Sequence, residues 1–378
     1  MRESIHIKNF GPIRDIEIDD IKPFTVLIGE SAGGKSTVMK VLVLFRWLSK
    51  WYNLSEYLRR LGMPEPKLPD VDDLLPDTGL NVFLKPESEI IYKNDAWTLH
   101  WTQGKKLDPK APDDPVYRKL SYIAETRGFI PSALNKPQMP RGADFGFFFH
   151  EAFNEFGESN DFVRQLELPY LNVDYRVEKK GLVTEHHITG RTSAYDITIE
   201  HASSGIQNLV PLLSILKMYA SELDPASVFK KTLSNKGFKL MTDAKEPAHR
   251  FDLHIEEPEL GLFPDAQCEL MNTLVRQCFI ENKNNVSVIM ATHSPYILTH
   301  VNNMIQAGVV HAQQPGSSLS VTPLTPNKVA VYQVSNGMCK PLLDAETGLI
   351  GENAIDACSG RIYSQFDQLM EMERHEET

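Results

Sequence analysis

The first part of the chain alternates apolar and polar residues in a pattern that predicts three short strands. Apolar residues recur at every second or third position over residues 5–10 and 13–18, and they form a nearly continuous run over residues 24–28. Short breaks that contain proline separate these runs. We therefore expect a β-meander, followed by a helix over residues 36–52, where the apolar residues change to helical spacing.

The middle of the chain is less regular. Prolines punctuate residues 53–140, and a strand pair is predicted there near residues 90–92 and 97–101. An aromatic helix is predicted at residues 145–166. Three further strands are predicted at residues 171–177, 182–189 and 194–200.

The last part of the chain returns to long apolar runs. A helix is predicted from Gly205, and buried strands are predicted at residues 251–256 and 286–292. The tail pairs a strand at residues 329–334 with a hairpin turn and a final helix from about Asn353, so we expect it to dock onto a sheet or complete one.

These patterns predict an α/β fold with a parallel core sheet, an antiparallel β-subdomain and a mixed α/β insertion. They divide the chain into a first core part, an insertion and lid region, a second core part and a tail, at residues 1–52, 53–200, 201–328 and 329–378.

Composition and charge describe an ordinary globular protein. Of the 378 residues, 42% are hydrophobic and 24% are charged, and the net charge of -11 argues against a surface devoted to nucleic acid. DNA stays open as a partner. The four cysteines follow no metal-ligand spacing, and no apolar run approaches the roughly 20 residues that span a bilayer. We therefore expect a cytoplasmic chain with no membrane contact.

A phosphate loop follows the third strand directly. Its residues are Gly29, Glu30, Ser31, Ala32, Gly33, Gly34, Lys35, Ser36 and Thr37, and they match the pattern G-x-x-x-x-G-K-[ST] in its required strand–loop–helix context. The loop N–H groups and the positive end of the helix would hold the phosphates of a nucleotide. Lys35 would neutralise phosphate charge, and Ser36 would offer its hydroxyl to Mg²⁺.

Two later strands end in groups that suit phosphoryl transfer. Glu256 and Glu257 end one strand, and because adjacent strand residues point to opposite faces, one can face a metal and the other the attacking water. We assign the metal to Glu256 and the water to Glu257. His293 ends the second strand, where it can reach the γ-phosphate or the water. The alternative interpretation is a charged strand end at the surface and a structural histidine.

Four motifs in this order resemble those of ABC-type ATPases, and among them the SMC, RecF-like and overcoming-lysogenization-defect (OLD) ATPases. They are the phosphate loop, Ala202-Ser-Ser-Gly-Ile-Gln207, Glu256-Glu-Pro-Glu259 and Thr292-His-Ser-Pro295. The resemblance covers about residues 1–50 and 200–300. The segment from Tyr122 to Arg127 also resembles a strand of that subgroup with an arginine at its end.

The resemblance implies a role for each motif. Glu256 would be the Walker B acid that holds Mg²⁺ with Ser36, Glu257 the catalytic base, and His293 the switch histidine, with Lys35 also catalytic. The signature residues Ser203, Ser204, Gly205 and Gln207 would contact the γ-phosphate bound by the opposite protomer, from the positive end of a helix. An ATP-sandwiched homodimer, or a higher homo-oligomer, is then expected.

The sequence departs from this family in several places. The Walker B acid is Glu256 where the superfamily usually has aspartate, and the middle glycine of the signature is Ser204. No residue stands clearly for the glutamine of the Q-loop, for which position alone suggests Gln103. Asp252 and His254 interrupt the apolar Walker B strand, so either one face of that strand is less buried or both groups join the site. Arg127 is catalytic or braces the insertion, and we favour bracing.

The resemblance also implies a cellular role. Prolines and the lack of heptads exclude a coiled-coil arm, and no metal-binding arrangement of a Toprim nuclease follows the switch strand. By analogy, the chain is expected to control a separate effector, as do stand-alone ATPases of bacterial antiphage systems. Two alternatives stay open: an ATP-gated scaffold that holds a toxin inactive with little turnover, and a RecF-like DNA repair ATPase.

Overall fold

A ten-stranded sheet forms the centre of the protein. This is seen in a computed structural model, which describes residues 3–95, 97–105, 107, 115–134, 145–181, 183–235 and 246–376. The sheet has the strand order β5-β4-β1-β2-β14-β13-β3-β12-β11-β6, and a second sheet has the order β10-β9-β8-β7. The strands are β1 Ser4–Phe10, β2 Ile13–Ile18, β3 Phe24–Ile28, β4 Glu89–Lys93, β5 Thr98–Thr102, β6 Val116–Ile123, β7 Gln165–Leu168, β8 Val173–Lys180, β9 Val183–Gly190, β10 Asp196–Thr198, β11 Ala248–Glu256, β12 Val286–Thr292, β13 Val329–Ser335 and β14 Met338–Pro341.

Helices cover both faces of the central sheet. They are α1 Lys35–Arg60, α2 Val71–Asp77, α3 Ile130–Ala133, α4 Phe147–Ser159, α5 Ser204–Lys217, α6 Pro225–Asn235, α7 Pro264–Val275, α8 Pro295–Gln313 and α9 Ala354–Glu376. The helix α1 packs on one face with the apolar side chains of β1 and β2. Apolar residues of α4, α5, α7 and α8 pack on the other face. Along β3, Leu27 packs on the face that α1 covers and Val26 packs on the opposite face, so the strand is buried on both sides.

The predicted fold class is confirmed, with one correction to the strand order. The strands β13, β3, β12, β11 and β6 are parallel neighbours, and β5, β4, β1 and β2 continue the same sheet in antiparallel pairs. The expected β-meander of β1, β2 and β3 is wrong for β3, which is not a neighbour of β2 in the sheet. The tail strands β13 and β14 lie between β2 and β3, because β3 is apolar on both faces and takes a central position.

The tail therefore completes the core sheet. The strand β13 pairs in parallel with β3 from Val329↔Phe24 to Gln333↔Ile28. In contrast, α9 exposes large apolar side chains, among them Ile362, Tyr363, Phe366 and Leu369. Within the described part of the chain, no helix combines the length and apolar character needed to cross a membrane.

The polar residues that interrupt the Walker B strand are buried in an ionic network. Asp252 and His254 are both fully buried, so the expected exposed face of β11 is not observed, and neither residue lines the phosphate-loop cavity described below. Arg118 Nη1 lies 3.0 Å from Asp252 Oδ2, and Arg46 of α1 pairs with Glu3 at 2.8 Å. The network thus ties β1, α1 and β6 to the Walker B strand.

The contacts within this network set the protonation states of His254 and Asp252. Arg46 Nη1 donates to His254 Nε2 at 2.9 Å, while His254 Nδ1 donates to the carbonyl oxygen of Ser121 at 2.9 Å. Burial and then Arg46 lower the pKa of His254 to about 3, which keeps the ring neutral. Burial alone would raise the pKa of Asp252, but the guanidiniums of Arg118, Arg46 and Arg250 hold it well below its usual range.

We predict that Asp252→Asn lowers the free energy of unfolding by about 3–5 kcal/mol, since it removes one of the two buried carboxylates that pair with Arg118 and Arg46, the other being Glu3. Urea unfolding at pH 7 measures this. Because the folded-state pKa of Asp252 is depressed, its contribution is present above the unfolded pKa of about 4 and is lost as the pH falls. The exposed Asp19→Asn is the matched control, and an equal loss in both variants would contradict the prediction.

Candidate functional site

The phosphate loop opens into a cavity of about 460 Å³ at the ends of the parallel strands. Loop residues 31–37 line one side of the cavity, and Glu125, Glu256, Glu257 and His293 line the other. These groups lie at or just after the ends of β6, β11 and β12, which are neighbours in the sheet. The structure therefore brings the predicted loop, both Walker B carboxylates and the predicted histidine together in one place.

The shape of the phosphate loop depends on the tail strand β13. Gly29 has φ +147°, and a Cβ there would overlap the carbonyl oxygen of Val334. Only glycine therefore fits between the end of β3 and β13. Ala32 also has a left-handed φ of +61°, which helps to turn the loop back toward α1. The sequence predicted the loop, but its support by Val334 is visible only in the fold.

Lys35 is held inside this loop. Its buried ammonium donates to the carbonyl oxygens of Gly29 and Glu30 at 2.9 and 2.8 Å. Desolvation lowers the pKa of Lys35, while the carboxylates of Glu257, Glu259 and Glu256 act in the opposite direction. An ammonium has three N–H donors, so one of them is left for a phosphate oxygen.

Glu256 has the environment of a metal ligand. Its side chain is 2% exposed, and neither carboxylate oxygen has a hydrogen-bond partner of good geometry among the described residues. Burial raises the pKa of Glu256, but Glu125, Lys40 and Ser36 lower it more, so the ionised form prevails. A buried carboxylate without a well-formed hydrogen bond is costly, and a divalent cation shared with the Ser36 hydroxyl would satisfy it. The residues present therefore fit Mg²⁺.

Glu257 faces the same cavity as Glu256, which corrects the expectation of opposite faces. The strand β11 ends at Glu256, and Glu257 has φ +42°, a left-handed conformation that is uncommon for residues other than glycine. This turn brings its carboxylate within 3.6 Å of His293 Nε2. Each of the two side chains is 35% exposed, so both can meet a ligand in the cavity.

Glu125 is a site residue that the sequence analysis missed. It follows β6, lines the cavity beside Glu256, and interacts with that carboxylate so strongly that its pKa rises to about 7. Gln103, the suggested Q-loop residue, follows β5 and does not line the cavity. The available signal for Glu125 was its place in the segment from Tyr122 to Arg127, which the sequence analysis singled out as a strand with an arginine at its end.

Glu259 and Gln267 belong to the segment that resembles the Walker B motif, but the sequence analysis gave neither residue a role. Glu259 Oε1 accepts hydrogen bonds from the Thr292 hydroxyl and the His293 main-chain N–H, both at 2.8 Å. Gln267 Nε2 donates to the carbonyl oxygen of Leu262, and its Oε1 accepts from Ser294. These contacts join the turn after Walker B to the switch segment, and so they fix the place of His293.

The signature residues lie outside the cavity of their own chain. Ser203 and Ser204 are exposed at the start of α5, while Gly205 is buried against Gly261. The side chain of Gln207 donates to the carbonyl oxygens of Glu200 and Ala202 at 3.0 and 2.8 Å. Gln207 thus braces the turn before the helix. The exposed side chains of Ser203 and Ser204 form the part of the motif that a second molecule can contact.

The fold is similar to several solved structures at low identity. They include an SMC head domain from Thermotoga maritima (12% identity, 93% of this chain and 99% of that chain, TM-score 0.39). An Smc head domain from Pyrococcus furiosus, bound to the C-terminal domain of ScpA, has 11% identity, coverage of 90% and 95%, and TM-score 0.37. A dimeric ATP-binding cassette bound to ADP and Pi has 11% identity, coverage of 89% and 98%, and TM-score 0.32.

At these identities and TM-scores, the similarity concerns the fold and not the roles of individual residues. No curated protein matches the chain. The model of the AAA ATPase domain family (AAA_15) matches residues 1–96 and 144–298, which include residues 29–37, residues 203–207 and the carboxylates of Glu256 and Glu257. Because this match covers more than half of the sequence, the chain belongs to the AAA ATPase domain family.

Proposed function

We propose that the chain hydrolyses ATP at the interface of a homodimer and thereby controls a separate effector protein. One observation supports hydrolysis: the phosphate loop, the buried carboxylate of Glu256 and the Glu257–His293 pair share one cavity. Family membership supports ATP as the nucleotide. A binding site alone would not need a second carboxylate beside a histidine.

The phosphate loop, both Walker B carboxylates and His293 each have a role in this reaction. The loop N–H groups and Lys35 bind the β- and γ-phosphates, and Ser36 with Glu256 would hold Mg²⁺, which neutralises charge on the phosphate oxygens when bound. Glu257 accepts a proton from the attacking water. His293, 3.6 Å from Glu257, orients that carboxylate or the γ-phosphate.

The dimer is proposed from the place of the signature. Ser203 and Ser204 are exposed at the N-terminus of a 14-residue helix and do not line the cavity of their own chain. A helix N-terminus suits an anion, so a second copy can present its signature to the bound γ-phosphate. The resemblance to ABC-type ATPases supports the same arrangement.

Control of an effector is the part of the proposal that rests on analogy. A stand-alone ATPase that resembles the OLD group fits the antiphage systems in which ATPase and effector are separate proteins. The ATP-gated scaffold uses the same cavity and differs in turnover rate. Measuring ATP turnover and mass of the chain, purified with its genomic neighbours, separates the two. Turnover with an ATP-dependent dimer supports the proposal, and negligible turnover with a co-purifying neighbour supports the scaffold.

We predict that Ser203→Arg binds ATP as the native chain does but forms no ATP-dependent dimer, because the larger cationic side chain blocks the approach of the second protomer. Nucleotide titration and light scattering measure the two properties. The matched control is Ser193→Arg at an exposed serine of the β-rich region, which should dimerise normally. A Ser203→Arg dimer that forms with native ATP dependence would exclude this interface.

A further inference from the structure

Arg127 makes an unusual set of contacts behind the cavity. It lies in the short 3-10 turn Glu125–Phe129 that follows β6, and its side chain is fully buried. Nη1 donates to the carbonyl oxygen of Glu256 and Nη2 to that of Glu257, both at 2.6 Å. Nε donates to the carbonyl oxygen of Asn208 in α5 at 3.1 Å. A further bond from Nη1 reaches the carbonyl oxygen of Ala124 at 3.1 Å.

These acceptors are all main-chain carbonyls, whereas a buried arginine usually pairs with a carboxylate. Burial lowers the pKa of Arg127 to about 10, and the nearby carboxylates of Glu259, Glu257 and Glu125 oppose that shift, so it stays protonated at neutral pH. The fork of a guanidinium suits two parallel acceptors in a fixed geometry, which an ammonium cannot reproduce. Arg127 therefore fixes the two peptide groups that carry the Walker B carboxylates.

The same side chain connects these peptides to the signature helix. Asn208 lies one turn into α5, after the exposed signature serines. A second contact joins the same two segments, since a Cβ at Gly205 would overlap the carbonyl oxygen of Gly261 in the turn after Walker B. The start of α5 thus rests on the Walker B turn through backbone packing and through Arg127.

We infer that Arg127 is a positioning residue that couples the signature helix to the left-handed backbone of Glu257. The inference rests on the proposed function and deepens it. When α5 holds the nucleotide of a second protomer, the guanidinium transmits its position to the Glu257 peptide. Closure of the dimer then acts on the base in each protomer through its own signature helix, so the two sites of the dimer act together.

A conservative substitution tests the coupling. Arg127→Lys keeps the charge and loses the fork, and we expect kcat to fall by about 100-fold, as for a misplacement of roughly 1 Å, with KM and ATP affinity unchanged. The matched control is Arg118→Lys, which shortens another buried arginine that does not line the cavity; it should lower stability and leave kcat near native. Equal kcat in native and Arg127→Lys would overturn the inference.

Amide hydrogen exchange gives a reading that does not depend on turnover. In the native chain, ATP should slow exchange in residues 203–208 and 255–262 together. In Arg127→Lys the first segment should be protected and the second should not. Protection of both segments in the variant would overturn the coupling, even if its kcat is low.

Two outcomes keep this inference separate from the proposed function. If the native chain does not hydrolyse ATP but ATP still protects both segments, hydrolysis fails and the coupling stands. If Arg127→Lys does not fold, Ser203→Arg replaces it, because that variant is predicted to bind ATP without dimerising. Its residues 255–262 should then stay unprotected, and protection by nucleotide alone would contradict coupling through the signature.

Discussion

Glu257→Gln should lower ATP turnover by about 10²–10⁴-fold and leave an ATP-bound dimer that persists. The amide has the shape of the carboxylate but cannot accept a proton from water, which is the contribution expected of a general base. The main-chain carbonyl of Glu257 still accepts from Arg127, so the left-handed turn should be kept. Phosphate release measures turnover, and light scattering with ATP and with ADP measures the dimer.

The control for this substitution is Glu281→Gln, an exposed glutamate outside the phosphate-loop cavity. It should change neither turnover nor dimerisation. If Glu257→Gln keeps native turnover, Glu257 is not the base. If the native chain itself turns over negligibly and both forms retain a co-purifying neighbour, the ATP-gated scaffold is the better description.

Lys35→Ala should remove nucleotide binding. Lys35 is buried between the carbonyl oxygens of Gly29 and Glu30. Among the described residues of the phosphate loop, it is the cation that lines the cavity. Truncation of one partner of a buried, hydrogen-bonded charge pair costs about 2–5 kcal/mol of binding free energy. Calorimetric titration with ATP measures this loss.

Lys50→Ala on the same helix is the matched control, since Lys50 lies 5.1 Å over the ring of Tyr117 and not in the cavity. It should bind ATP with native affinity. Native affinity in Lys35→Ala would contradict the assignment of the phosphate loop.

Local motifs made much of the site predictable. The phosphate loop is contiguous in sequence, and its strand and helix precede and follow it directly, so residues 29–37 could be assigned from the pattern alone. The strand ends at Glu256 and His293 were predictable for the same reason, because apolar runs that end in polar groups mark buried parallel strands. The conformation of Glu257 was not, since a left-handed φ after a strand depends on contacts from elsewhere.

The residues that the sequence analysis missed act across long stretches of chain. Glu125 reaches Glu256 because β6 is the neighbour of β11, and Val334 limits Gly29 because β13 is the neighbour of β3. No local pattern encodes either pairing. The polar residues Asp252 and His254 were seen in the sequence, but their buried partners Arg46 and Arg118 could be identified only in the fold.

By itself the sequence determined the α/β class, the nucleotide-binding loop and the order of the motifs, because spacing and hydrophobic periodicity are properties of short segments. Only the tertiary structure decided which strands are neighbours, where Glu257 points, and that Arg127 joins the signature helix to Walker B. The physical reason is that side chains far apart in the chain satisfy each other's buried polar groups, and such pairings are settled when the core closes.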